Sequence, residues 1–280
     1  MADNERILLV GCGDLGLRTA RHLLARGDEV WALRRTPPAD APAGIRWIRA
    51  DLSRPEQLND LPGGITRVAW LPAPGRRDPR AYTTVFTDPL PHVFGALDRT
   101  MLRRVVFVSS SAVYGDHAGG WVDEHTQPDP PGFNGKVLLQ AEQWLADQGL
   151  PAAALRLAGL YGPGRTQLLE RIRAGQARAP RDSAHWANRM HIDDAAAAVA
   201  HLLYLPKVEP VYIGCDDTPL PLHELYDCLA TMLNAPPPPE GPPPAGVGSK
   251  RLSNARLRAS GLTLQWPDSR AGYAALIGAA

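Results

Sequence analysis

Cysteine is scarce in this sequence: Cys12, Cys215 and Cys228 are the three present in 280 residues. They are odd in number and far apart, which argues against a disulfide framework and against the close spacing of a metal site, so no metal ligand set is expected. An excess of either charge is also missing. The formal net charge is +1, so no broad field favours nucleic acid or an anionic membrane surface. No apolar run approaches the length of a membrane span. The opening residues, Met1-Ala-Asp-Asn-Glu-Arg6, are polar and lead straight into an apolar run, so no signal peptide is expected. A cytoplasmic protein with a small-molecule substrate is expected, monomeric or homodimeric and long enough to bury a real core.

Against these absences stands one organising stretch, Val10-Gly11-Cys12-Gly13-Asp14-Leu15-Gly16. The unbroken apolar run Ile7–Val10 before it reads as a strand buried on both faces. The residues after it, Leu15 to Arg26, carry Leu15, Ala20, Leu23 and Leu24 at roughly helical spacing, with Gly27 as a stop. The glycines therefore sit on a strand-to-helix turn. In that setting Gly11 permits the tight turn, Gly13 lets a ligand approach the backbone, and Gly16 lets helix and strand pack closely. The helix N-terminus offers N–H groups and the positive end of its dipole to a pyrophosphate.

A second absence lies at the end of the next strand, Glu29–Leu33. An acidic residue about 20 positions past the glycines is the usual partner of an unphosphorylated ribose. No acid occurs from Val30 to Ala39, and Arg34-Arg35 stands there instead. Two guanidinium groups suit a 2′-phosphate, so NADP is expected, with NAD as the second choice.

Further strands are expected at Ile45–Leu52, Thr66–Leu71, Arg104–Ser109, Ala152–Leu157 and Pro210–Gly214. A short helix is expected near Pro55–Leu61. Pro89 and Pro91 should break the helical stretch Arg80–Thr100 in two. Longer helices are expected over Gly135–Gln148 and Leu222–Leu233, with a short one over Leu168–Ala174. Another should run to Tyr204, its N-terminus served by Asp193 and Asp194. Pro236–Pro244 reads as an extended, solvated connection. Strands alternating with helices at this pitch imply an α/β fold with a doubly wound parallel sheet, whose ligands bind beyond the carboxyl ends of the strands.

In series these pieces resemble an extended-type short-chain dehydrogenase/reductase of the NAD-dependent epimerase/dehydratase family. The resemblance rests on the glycine turn, Ala50-Asp51-Leu52, Val108-Ser-Ser-Ser-Ala-Val-Tyr-Gly115, and Lys136 with Glu142. It rests equally on Leu155-Arg-Leu-Ala-Gly-Leu-Tyr-Gly-Pro163, Arg189-Met-His-Ile-Asp-Asp194 and Tyr212-Ile-Gly-Cys-Asp216. It implies a Rossmann core, residues 1–164 with 191–214 returning to it, and a small substrate domain, residues 165–190 and 215–280. It implies cofactor contacts from Gly11, Gly13, Asp14, Leu15, Gly16, Arg34, Arg35, Asp51, Leu52, Leu71, Pro72 and Lys136. Family members often dimerise through two core helices, and Pro89 and Pro91 fall in one of them.

The sequence also departs from the family. The glycine turn is GxGxxG rather than GxxGxxG, which resembles an atypical branch. The tyrosine four residues before the lysine is replaced by Gly132, and Gly159 stands where an asparagine is usual. The resemblance implies that Ser110 polarises a substrate oxygen and Lys136 holds the nicotinamide ribose, with Tyr114 on the same loop as Ser110. Substitute proton donors include Tyr161, His191, His117, Asp123, Glu124 and His125. With the acid missing, the expected activity is an NADP-dependent oxidoreductase acting on a small carbonyl-like substrate. A non-catalytic NADP sensor is the alternative, and a nucleotide-sugar epimerase or dehydratase ranks last.

Overall fold

The computed structural model describes residues 5–279. Strands and helices alternate as β1 (Arg6–Val10), α1 (Asp14–Ala25), β2 (Glu29–Leu33), β3 (Arg46–Ile48), β4 (Arg67–Trp70), α2 (Pro79–Phe86), α3 (Leu90–Ala96) and β5 (Arg104–Ser110). They continue as β6 (Trp121–Val122), α4 (Phe133–Asp147), β7 (Ala152–Leu157), β8 (Gly159–Tyr161), α5 (Gln167–Arg173), β9 (Trp186–Ala187) and β10 (Arg189–His191). The chain ends in α6 (Ile192–Tyr204), β11 (Val211–Gly214), β12 (Leu220–Pro221), α7 (Leu222–Met232), β13 (Arg251–Leu252), α8 (Ala255–Ala259) and α9 (Ser269–Gly278).

Seven strands form one doubly wound parallel sheet in the order β11-β7-β5-β4-β1-β2-β3. Ile7, Leu8, Leu9 and Val10 are fully buried, as a central strand covered on both faces requires. Val10 stands opposite Leu33 on one side and Trp70 on the other. The chain moves outward from β1 to β2 and β3, then returns to β4 on the far side of β1. That reversal leaves a crevice beyond the carboxyl ends of β1 and β4.

The chain separates into two compact units. One comprises Met1–Val113, Gly132–Arg156 and Ala196–Val211; the other comprises Tyr114–Pro131, Leu157–Ala195 and Tyr212–Ala280. The second has its own core, in which Tyr161, Leu225, Leu229 and Tyr273 are buried. No helix among the described residues is long and apolar enough to cross a membrane.

Several elements differ from expectation. The third strand is shorter, Arg46–Ile48. It is an edge strand paired only with β2, and Ala50–Ser53 leave the ladder to line the crevice. The segment after Pro55 forms one 3₁₀ turn, Pro55–Leu58, rather than a helix to Leu61. The break near Pro89 is present, with α2 ending at Phe86 and α3 starting at Leu90. Asp193 and Asp194 stand in the first turn of α6. The Asp194 carboxylate, however, accepts from Gln265 N at 2.7 Å and Trp266 N at 2.9 Å, so it ties down a distant segment as well. The proline-rich stretch is mostly exposed but not wholly solvated. Pro238 is buried, and its carbonyl accepts from Arg181 Nη2 at 2.8 Å.

Candidate functional site

The crevice is a cleft of about 1010 Å³, at the upper end of the roughly 300–1,000 Å³ typical of small-molecule sites. Four strand ends supply its walls. Gly11 and Gly13 follow β1, Leu33 to Thr36 close β2, and Ala50 to Ser53 follow β3. Pro72 and Ala73 follow β4, Arg76 and Asp78 lead into α2, and Arg80 and Ala81 lie in its first turn. A smaller concavity of about 370 Å³ lies between α1 and α6, lined by His22, Arg26, His201 and Tyr204, away from the glycine turn.

Each glycine of the turn meets a different constraint. Gly11 has φ +77°, and a Cβ there would fall 2.4 Å from Pro72 Cα. Gly16 faces Cys12 Sγ, which an added Cβ would approach to 3.0 Å, so α1 packs directly on the turn. Gly13 has an ordinary φ of −88°, and a Cβ there would meet nothing within 4 Å. The backbone at Gly13 therefore borders open space, as close approach of a pyrophosphate requires. Cys12 lies buried beneath the turn; burial pushes its thiol up to about 12, against the opposing pull of Arg34, so it acts as a neutral filler.

The basic pair does not face the cleft as two free guanidinium groups. Arg34 Nη1 donates to the Cys12 carbonyl at 3.2 Å and clips the end of β2 to the glycine turn. Arg35 is exposed beside Asp51. Burial pushes the Asp51 carboxyl up, but Ser53, Arg35 and Arg54 outweigh this and hold it below its usual range. Its Oδ1 accepts from Ser53 N at 3.0 Å and Ser53 Oγ at 2.8 Å. A fixed carboxylate thus stands at this end of the cleft, supplied by the chain after β3 rather than by β2.

Of the other expected cofactor residues, Leu52 and Pro72 line the cleft, whereas Asp14, Leu15, Gly16 and Leu71 are not among its lining residues. Leu15, Gly16 and Leu71 are buried, and Asp14 Oδ1 accepts from Arg18 Nε at 2.8 Å. Arg76, Arg80 and Thr84 also line the cleft and fall outside the expected set; they come from a proline-rich loop and the start of α2, which carry no periodic signal.

Ser110 ends β5, half-buried, and its Oγ accepts from Ala112 N at 3.2 Å. Its neighbour Ser109 donates to Glu142 Oε1 at 2.5 Å, and Glu142 pairs with Arg156 at 2.6 Å. Lys136 is exposed on the first turn of α4, whose N-cap is Gly132. Tyr114 is buried, and its hydroxyl donates to the Asp123 carbonyl at 3.1 Å.

Most substitute proton donors have structural work. Asp123 holds the turn to Thr126, and Glu124 accepts from Ile213 N at 2.9 Å. The His125 ring lies 3.0 Å from Arg256 Nη2, while His117 is half-buried. His191 is buried and accepts from Asp193 N at 3.2 Å. Tyr161 is buried between His191 and Tyr273, and burial pushes its hydroxyl far up. No cluster of three potential metal ligands occurs among the described residues.

The strand order and the glycine turn define a Rossmann-type NAD(P)-binding protein. The chain belongs to the NAD dependent epimerase/dehydratase family, whose model matches residues 7–214. It is 32% identical over 243 residues to Protein YeeZ of Escherichia coli (strain K12), covering 84% of this chain and 86% of that protein. A structure from Methylobacillus flagellatus named for the same family has 37% identity and a TM-score of 0.81, covering 98% of both chains. The UDP-glucose 4-epimerase of Thermus thermophilus, in complex with NAD, superposes with a TM-score of 0.82 at 23% identity over 98% of both chains.

These comparisons correct two expectations. The same full-length fold occurs in a nucleotide-sugar epimerase, the class ranked last. The cofactor in that epimerase structure is NAD, whereas NADP is the expectation for this chain. The physical reason for the second error lies at Arg34 and Arg35. The expectation of NADP takes both as free phosphate ligands, but Arg34 is tied to the Cys12 carbonyl, and the Asp51 carboxylate near Arg35 disfavours a 2′-phosphate there.

Proposed function

We propose that this protein binds NAD in the cleft and uses it to interconvert a hydroxyl and a keto group on a nucleotide-linked sugar. One observation carries the reading: open backbone at Gly13 and a fixed carboxylate at Asp51 lie in one cleft at the topological switch point. In this reading Gly11, Gly13 and the first turn of α1 take the pyrophosphate. Asp51 accepts from a ribose hydroxyl and would repel a 2′-phosphate, while Leu52 and Pro72 flank the adenosine half. Arg34 braces the turn, and Arg35, Arg76 and Arg80 offset the phosphate charge.

Lys136 binds the nicotinamide ribose, and Ser110 turns its hydroxyl from Ala112 N to the substrate oxygen. Bound NAD supplies hydride transfer. Gly132 takes the position of the family tyrosine, so the site acts without a phenol on α4. The division into a cofactor core, 1–164 with 191–214, and a substrate part, 165–190 and 215–280, belongs to the same reading. The test is calorimetric titration with NAD and NADP, followed by addition of UDP-glucose to the NAD-loaded protein. Tighter binding of NAD and appearance of bound NADH support the reading; preference for NADP, or no NADH with any nucleotide sugar, refutes it.

A further inference from the structure

Oxidation or reduction at a carbinol carbon moves a proton as well as a hydride, and α4 carries no phenol to take it. The geometry points to Tyr82 on α2 as the group that exchanges this proton, an inference that rests on the function proposed above. Helix α2 follows β4 of the parallel sheet, so it begins beyond the sheet's carboxyl edge, where the neighbouring β5 ends in Ser110. Tyr82 is the fourth residue of α2, and Lys136 is the fourth residue of α4. The two helices pack on each other, and α4 also packs on the turn Ser111–Val113 that follows Ser110. The Tyr82 ring meets Phe133 edge-on, with centroids 5.3 Å apart. Phe133 adjoins Gly132 and lies three residues before Lys136, hence on the same helix face. Neighbouring positions of α2, Arg80, Ala81 and Thr84, line the cleft.

The other six tyrosines are unsuited to this role. Tyr114, Tyr161, Tyr212, Tyr226 and Tyr273 are buried. Tyr204 ends α6, its ring covered by the guanidinium groups of Arg26 at 3.8 Å and Arg67 at 4.4 Å. Tyr82 alone pairs a half-exposed ring with a place beside the start of α4. In the reducing direction its O–H bond breaks and its proton joins the substrate oxygen, as the carbonyl carbon gains a hydride and its electron pair from the reduced nicotinamide. Water then returns a proton to the phenolate. In the oxidising direction the same steps run backwards.

The experiment compares wild type with Tyr82→Phe, which keeps the ring against Phe133. Reduction of bound NAD by UDP-glucose should fall about 10²–10⁴-fold, the usual contribution of a general acid, with NAD affinity unchanged. A second readout needs no turnover: nitration of Tyr82 by tetranitromethane, followed by mass spectrometry, with NAD or with AMP present. NAD should slow nitration, and AMP, which lacks the nicotinamide half, should not. Full activity in Tyr82→Phe overturns the assignment, as does nitration indifferent to NAD. Protection by NAD without turnover by wild type would sustain Tyr82 at the nicotinamide and defeat only the sugar reading.

Discussion

The two edges of the parallel sheet are both rich in arginine, and they differ in what the arginines face. At the amino edge, Glu5 accepts from Arg67 at 3.1 Å and Arg103 at 2.8 Å. Thr66 also donates to Glu5, and Arg67 donates to the Leu203 carbonyl. Arg104 reaches the Leu205 carbonyl at 2.8 Å, and Arg6 pairs with Glu29 at 3.0 Å. At the carboxyl edge, Arg35, Arg76 and Arg80 line the cleft, and among the described residues no ion pair within 4.0 Å joins them to a carboxylate. The contrast separates two uses of one residue type. Charges closed on protein partners hold strands and helices together, whereas charges left open to a cleft are available to something that is not protein. Changes at closed charges should therefore cost stability and spare binding, and changes at the cleft should do the reverse.

The largest effect should come from a closed pair deeper in the same unit. Glu142 and Arg156 have side chains only 8% and 5% exposed, so Glu142→Gln leaves a buried guanidinium without its counter-charge. A loss of about 3–5 kcal/mol is expected, read as a lower midpoint in urea unfolding. An unchanged midpoint would mean that burial does not make this pair matter.

Next in size is Gly13→Val. Its Cβ meets open space, so circular dichroism should show an intact fold. NAD affinity should fall about 100-fold, the weight of a charge-assisted hydrogen bond or two at the pyrophosphate. Normal binding by a folded variant would remove the cleft from the account. Gly11→Val is the internal contrast: its φ of +77° and the approach to Pro72 should cost the fold itself.

Glu5→Gln tests the amino edge directly. Burial raises the Glu5 carboxyl, but Thr66, Arg67 and Arg103 outweigh this and hold it below the usual carboxylate range. A lowered folded-state pKa gives stability that is present above the unfolded value and is lost as pH falls through the folded one. Wild type should therefore lose stability on acidification below about pH 4.5 more steeply than Glu5→Gln, whose NAD affinity should match wild type. Identical acid unfolding of the two would show that the Glu5 cluster is decorative.

The smallest effect should be at Arg35, exposed and screened by solvent. Arg35→Ala should weaken NAD binding by about 1 kcal/mol or less, and less still at high salt. A tenfold loss that persists in salt would instead make Arg35 a direct phosphate ligand.

The strand-to-helix turn is legible in the sequence because it is local. A buried apolar run, three glycines and a helical face occupy consecutive residues, and β1 and α1 form there. The roles of Arg34 and Arg35 are not legible, because they depend on which backbone each side chain reaches. Arg34 meets Cys12 only through the parallel pairing that sets Val10 opposite Leu33. The acid missing after β2 has its counterpart on another strand, since Asp51 arrives from the end of β3. Arg76 comes from a loop, and Arg80 from the first turn of α2 after it, where the prolines fix local geometry without revealing what they cover. Tyr82 lies in a helical stretch where only the proline break stands out, and its pairing with Phe133 joins residues of two different helices.

The central claim is that the open charges of the carboxyl edge, with Asp51 among them, form an NAD site rather than an NADP site. One titration calorimetry experiment tests it: NAD and NADP added in turn to wild type and to Asp51→Asn at fixed ionic strength. The account expects wild type to bind NAD about tenfold tighter or more, with Asp51→Asn narrowing the gap as the carboxylate stops repelling a 2′-phosphate. Wild type binding NADP the more tightly, with the preference unmoved in Asp51→Asn, would contradict it.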